Sequence, residues 1–263
     1  MFKSLRLPSS QIAIWIAAFI SIATTARPSQ AADIDLNPIQ DEVSRHGSRA
    51  FTVLFVGNSH VLVNNVPDRV AKRLDAVVGP SRKPVTARIA INGARLSDFA
   101  GRDIVKTALK RISWDILVLQ EATASFLSSS GRKNFHASLN WFMRHKPTTT
   151  RVVLYQTWPF QSHHWLYHRP NLTPYERPKS PDQMWTWIRS AYQTALQRNR
   201  VALAPVGRCW LAAENTPSFY SPDGNHATVA GSNLAAEVLT QAIVRTSALK
   251  PTAAPSAAPT DCP

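Results

Sequence analysis

The sequence predicts an α/β fold, a three-layer α/β/α sandwich around a central, mostly parallel five-stranded sheet. Three observations predict it. Short apolar runs rich in β-branched residues recur five times, segments with helical spacing separate them, and the residues able to do chemistry follow the runs. Alternation of that kind builds parallel strands joined by right-handed helical crossovers, with helices on both faces of the sheet.

The predicted strands are residues 52–56, 85–91, 116–120, 152–156 and 201–205. In the first, residues 53–56 are continuously apolar, as in a strand covered on both faces. Between the strands, residues 66–78, 104–112, 135–145 and 181–198 carry helical spacing, and Pro67 and Pro181 stand where a helix would begin. Residues 159–181 form a long aromatic connection after the fourth strand. Connections of that length often cover or line binding sites.

The ends read differently. Lys3 and Arg6, the apolar stretch 12–23 and the small-x-small pattern Ser29-Gln30-Ala31 identify residues 1–31 as a cleavable secretory signal, which implies an exported, periplasmic or secreted protein. The apolar stretch is shorter than the about 20 residues of a bilayer span, so no stable membrane span is expected after cleavage. Residues 32–50 are expected as a linker, 51–247 as the domain, and 248–263, rich in Ala and Pro, as a disordered tail.

With 44% hydrophobic and 17% charged residues, the chain is composed as a globular domain and not as a disordered one. Loss of Lys3, Arg6 and Arg27, with no acid among the first 31 residues, takes the formal charge from +14 to +11. The basic residues accompany no nucleic-acid-binding motif, so an anionic envelope polymer is a better partner than nucleic acid. Cys209 and Cys262 leave their pairing open. His163, His164 and His168 include an i, i+4 pair, but Pro170 follows and no matching acids stand nearby, so no metal and no cofactor are expected.

Ser59, next to last in the segment FTVLFVGNSH, is the first candidate nucleophile. A serine hydroxyl is protonated at neutral pH and needs a base within hydrogen-bond reach and a third group to orient that base. Asp223 and His226, three apart in SPDGNHATVAG, supply both from one short loop. In an open parallel sheet, ligands bind beyond the carboxyl ends of the strands. Ser59, Gly93, Trp158 and the Asp223–His226 pair follow strands and Gln120 ends one, so one edge would gather them.

Gly57-Asn58-Ser59-His60, Ile91-Asn92-Gly93-Ala94 and Asp223-Gly224-Asn225-His226 together resemble the three motif blocks of the SGNH (GDSL-type) hydrolases, in a branch that also carries Asn64-Asn65-Val66-Pro67 and Leu119-Gln120-Glu121. The resemblance spans residues 51–245 and departs from the family at Asn58, where Asp is usual, and at Gln120-Glu121, where a G-x-N-D block is usual. It implies a serine esterase with Ser59, His226 and Asp223 as the catalytic triad. The backbone N–H groups of Ser59 and Gly93 would form the oxyanion hole, and the Gln120 side chain would stand in for the absent Asn. Trp158 and Trp165 are the expected substrate-binding residues, stacking on a sugar ring of an acylated carbohydrate. An O-acyltransferase using the same acyl-enzyme, and a non-catalytic polysaccharide-binding protein on the same scaffold, are the alternatives.

Overall fold

The structure, a computed structural model, describes residues 35–169, 176–213 and 216–247, together with Leu249 and Cys262. The expected signal, residues 1–31, and nearly all of the expected tail lie outside them, as does Tyr175 of the aromatic connection. Five strands, β1 (Ala50–Gly57), β2 (Lys83–Ala90), β3 (Ile116–Gln120), β4 (Arg151–Tyr155) and β5 (Ala202–Ala204), pair in the order β2-β1-β3-β4-β5. Every pairing is parallel. The connection after β1 therefore runs one way across the sheet and the connection after β2 runs back past β1 to β3, so the switch point, where such sheets bind ligands, lies at the carboxyl ends of β1 and β3.

Among the described residues eight α-helices surround the sheet: α1 (Asn37–His46), α2 (Ser59–Leu62), α3 (Val66–Val78), α4 (Asp103–Arg111), α5 (Ser129–His145), α6 (Pro181–Arg198), α7 (Val206–Ala212) and α8 (Val229–Thr246). Alternation along β1 assigns its residues to two cores. Phe51, Val53 and Phe55 join Val70 and Leu74 of α3 and Leu239 and Ile243 of α8, whereas Leu54 and Val56 join Leu109 of α4, Leu139 of α5 and Ile188 of α6. A strand that feeds both cores has no solvent face, which is why its sequence lacks polar alternation. Among the described residues no helix is long and apolar enough to cross a membrane.

The expected linker needs correction. Within 32–50, residues 37–46 form α1, with Pro38 in its first turn. Leu36 is buried in the same core as α4, with Ile39 and Val43 packed against it. The i, i+4 spacing of Ile39 and Val43 was the available sequence signal, but so short a helix has little stability without the sheet beneath it.

Cys209 of α7 is bonded to Cys262, closing a loop across a separation of 53 residues. By the chain-entropy account, such a crosslink removes about 4 kcal/mol of unfolded-state freedom.

Candidate active site

At the end of β1 the backbone must turn sharply to deliver Ser59 at the first residue of α2. A Cβ on Gly57 would lie 2.5 Å from Gln120 Oε1 and 2.8 Å from Val61 Cγ2, so only glycine fits there. Asn58, 2% exposed, locks the turn from three sides. Its N–H donates to Gln120 Oε1 (2.8 Å), its Oδ1 accepts from the His60 N–H (3.1 Å), and its Nδ2 donates to the Ala94 carbonyl (2.9 Å). The last bond explains the departure from Asp at this position: a carboxylate could not donate to Ala94. It also ties the nucleophile turn to the loop after β2, where Gly93 sits exposed at φ 72°. Among the described residues the N–H groups of Ser59 and Gly93 make no hydrogen bond to protein.

The loop before α8 carries Asp223 and His226, the expected orienter and base. Asp223 Oδ1 accepts from the N–H groups of Asn225 and His226, both at 3.0 Å, and Oδ2 lies 2.5 Å from His226 Nδ1. His226 Nε2 lies 2.8 Å from Ser59 Oγ. Burial works to raise the Asp223 carboxyl, but the hydrogen bonds from the His226 ring and from the two N–H groups outweigh it and hold the carboxyl down at about 2. Asp223 thus stays ionised, with the imidazole Nδ1–H facing it and Nε2 left free to accept.

Longer ties hold this loop to the rest of the site. Trp158 Nε1 donates to the Asn225 carbonyl (3.0 Å), and the Gln161 N–H donates to the Gly224 carbonyl (2.7 Å). Asn64, left-handed at φ 55°, donates through Nδ2 to the Ala227 carbonyl (3.2 Å) and to Ser232 Oγ (3.0 Å). Because Asn64 lies just after α2, that strap connects the nucleophile's own segment to the residue after the base.

Behind the triad, His60 is buried with its ring 4.7 Å from Trp158 and 5.7 Å from His226. Its Nε2 is 3.3 Å from Thr123 Oγ1, and its Nδ1 has no partner among the described residues. Burial, followed by the neighbouring His226, pushes its pKa down to about 3, so the ring is neutral. Glu121, also buried, accepts from Ser125 Oγ (2.7 Å), the Ala122 N–H (2.8 Å) and the Leu96 N–H (3.3 Å). Burial pushes it up to about 7 against those three bonds. Through Leu96 it fixes the same β2 loop that carries Gly93.

The architecture matches solved structures at low sequence identity. A protein described as an SGNH hydrolase from Slackia heliotrinireducens is 24% identical with a TM-score of 0.60, over 74% of this chain and 99% of that one. The fold is that of the SGNH hydrolases. A DUF4886 family protein from Bacteroides uniformis (17% identity, TM-score 0.59, 74% of this chain and 83% of that one) shares it. So does a variant acetyl xylan esterase from Geobacillus stearothermophilus (15%, 0.54, 76% and 95%). No protein-family model and no curated protein sequence matches the chain.

Within this SGNH fold the structure brings Ser59, His226 and Asp223 into one hydrogen-bonded line, and it corrects two expectations. Gln120 is fully buried: its Oε1 faces the Asn58 N–H, and its Nε2 donates to the Glu121 carbonyl at 2.7 Å. It braces the nucleophile turn from beneath and does not face the space where an oxyanion would form. Trp158 is 1% exposed and stacked on Trp210, with ring centroids 3.8 Å apart, so it offers no face to a substrate. It is a core residue that holds the base loop through Asn225. Trp165 is 54% exposed, with the Arg169 guanidinium 5.0 Å from its ring. The His164–His168 pair flanks a 3₁₀ turn (Trp165–Tyr167), not an α-helix, and His164 Nδ1 accepts from the Leu166 N–H. Among the described residues no three His, Cys, Asp or Glu side chains gather to hold a metal.

Proposed function

We propose that the protein is an exported serine esterase that removes an acyl group, foremost acetyl, from a carbohydrate. The observation that carries this reading is the unbroken line from Asp223 through His226 to Ser59 Oγ, with contacts of 2.5 and 2.8 Å. Ser59 Oγ attacks the ester carbonyl carbon while His226 Nε2 takes its proton. The tetrahedral oxyanion is received by the N–H groups of Ser59 and Gly93, which are unpaired in protein and stand at the ends of adjacent strands. The carbon–oxygen bond to the alcohol breaks as His226 returns the proton to the leaving oxygen. Water, activated by the same imidazole, then attacks the acyl-serine and restores Ser59.

The carbohydrate half of the reading rests on exposed Trp165 near the Asp223 loop and on the acetyl xylan esterase with the same fold. His163, two residues before Trp165, reaches the Pro222 carbonyl at 3.4 Å and so places that segment beside the base loop. Export is supported by the sequence of residues 1–31 and by the Cys209–Cys262 bond, which persists in oxidising compartments. The basic surface favours an anionic envelope polymer as carrier of the ester.

A fluorophosphonate should label Ser59 of the purified protein, and Ser59→Ala should abolish both labelling and acetyl release from acetylated xylan with an unchanged thermal midpoint. The expected loss in kcat is about 10⁴-fold or more. Turnover near wild type in that variant would remove the reading. Faster cleavage of long-chain acyl esters than of acetyl esters would replace the carbohydrate with a lipid.

A further inference from the structure

A second cleft lies at the opposite edge of the sheet. It opens where β4 and β5 begin and where α5 and α8 end, with a volume of about 790 Å³. α8 starts three residues after His226 and runs 18 residues to Thr246, which places the cleft about 27 Å along that helix from the base loop. The cleft is therefore no part of the site described above.

Four cations line it, Lys146, Arg151, Arg200 and Arg245, and no carboxylate does. None of the four forms an ion pair among the described residues, and the Lys146 Nζ donates to the Pro147 carbonyl (3.2 Å). Burial holds both Lys146 and Arg245 below their usual range, with no acid acting against it. Arg151, Arg200 and Arg245 are exposed and Lys146 is half-buried, so together they set a positive field over the cleft that favours an anion. A second observation points the same way. Thr150 also lines the cleft and is 1% exposed, and its Oγ1 is buried with no hydrogen-bond partner among the described residues. An orphaned buried hydroxyl costs about 1–3 kcal/mol unless something bonds to it.

Apart from Thr148 and Thr246, the remaining wall is apolar, with Met143, Val201 and Leu203 among its residues. A cationic rim over an apolar wall selects a ligand with an anionic head and an uncharged body, and the volume is within the range of about 300–1,000 Å³ typical of small-molecule sites. A phosphate monoester carries close to two negative charges at neutral pH, and its oxygens match the fork of an arginine guanidinium. We propose that this cleft is a binding site for a phosphate monoester with a small organic body, held by Arg151, Arg245, Lys146 and the Thr150 hydroxyl. The inference does not depend on the esterase reading.

The test is titration calorimetry of the purified protein with phenyl phosphate and with inorganic phosphate, at matched ionic strength in chloride. Phenyl phosphate should bind, and bind more tightly than inorganic phosphate. Arg151→Gln and Arg245→Gln should each weaken it about tenfold or more, the loss typical of a charge-assisted bond, and Thr150→Val about fivefold. Lys72→Gln, an exposed cation of α3, should leave the affinity within about twofold, as a screened surface charge does. Fluorophosphonate labelling of Ser59 should be unchanged in all four variants, so that loss of the cleft and loss of the esterase are separately visible. Absence of binding heat with either probe overturns the proposal, as does equal weakening by Lys72→Gln and the cleft variants. Equal affinity for the two phosphates overturns the organic body.

Discussion

The turn that carries Ser59 and the loop that carries His226 meet in one hydrogen bond, yet they are held by opposite means. Asn58 is buried, and two of its three ties reach Gln120 and Ala94, 62 and 36 residues away. Asp223 is exposed, and all three of its ties go to residues two or three positions on. The difference follows from what each group does. A nucleophile must hold a fixed place relative to the oxyanion donors, so a rigid bed under it helps catalysis. A base must pass protons in turn between the serine, the leaving alcohol and the attacking water, so its loop stays open to them, self-ordered and anchored at a few carbonyls.

That contrast can be tested at four positions, and tenfold in rate corresponds to about 1.4 kcal/mol, which puts the effects on one scale. Asp223→Asn comes first. Its amide would force His226 Nδ1 to accept and would leave the proton on Nε2, where it blocks transfer from Ser59. We expect kcat to fall about 10³- to 10⁴-fold. Because the loop is exposed, thermal unfolding should stay within a degree or two of wild type, a shift of roughly 0.5 kcal/mol or less. A large loss of stability would show that this loop is as deeply embedded as the nucleophile turn.

Asn58→Asp should reverse the pattern. It removes the donor to Ala94 and sets a carboxylate against that carbonyl in a buried site, at a cost of about 2–4 kcal/mol in chemical denaturation. A neutral outcome would mean that the turn is less rigid than its bonds imply.

His60→Phe comes next and is read through pH. The folded-state pKa of His60, about 3, lies below the ordinary 6.5, so the unfolded chain takes up its proton first as pH falls. Stability from this group is complete above about pH 6.5 and is lost as pH falls towards 3, at up to about 1.4 kcal/mol per pH unit. Glu121, raised to about 7, has the opposite sign: its contribution falls as pH rises from about 4.5 to 7. Glu121 and Asp223 are the same in both proteins, so the difference between wild type and His60→Phe isolates the histidine. Denaturant midpoints at pH 7 and pH 4.5 should converge on the variant's side as acid is added, and parallel curves would place a proton on His60 in the folded state.

The smallest effect is expected at Asn64→Ala, which cuts the strap between the two segments. About 1 kcal/mol of stability and a several-fold drop in kcat with little change in KM are expected, because His226 is displaced and no substrate contact is lost.

Much of this was legible in the sequence, and the misses share a cause. The strands are readable because β1 and β3 feed two cores and so read as unbroken apolar runs, and the edge that gathers Ser59 and His226 follows from parallel connection alone. What the sequence hides is which way a side chain at a strand end turns. Gln120 and Trp158 both end or follow strands on the site's edge, and pattern cannot show that one points beneath Gly57 and the other stacks on Trp210. Their partners lie 63 and 52 positions away in the chain. Helix α1 was missed for the opposite reason, because its apolar spacing is legible but its stability comes from packing on the sheet.

The bond from Cys209 to Cys262 also changes how the molecule bears a pull on its end. Tension on an ordinary C-terminus would peel the last helix from the sheet, one turn at a time, starting at Thr246. Here the load enters at Cys209, bypasses α8, and reaches α7, whose Trp210 is stacked on Trp158. The chain is thus reinforced against shear at the helix that begins beside its base, and a reductant would convert the same pull from shearing to unzipping.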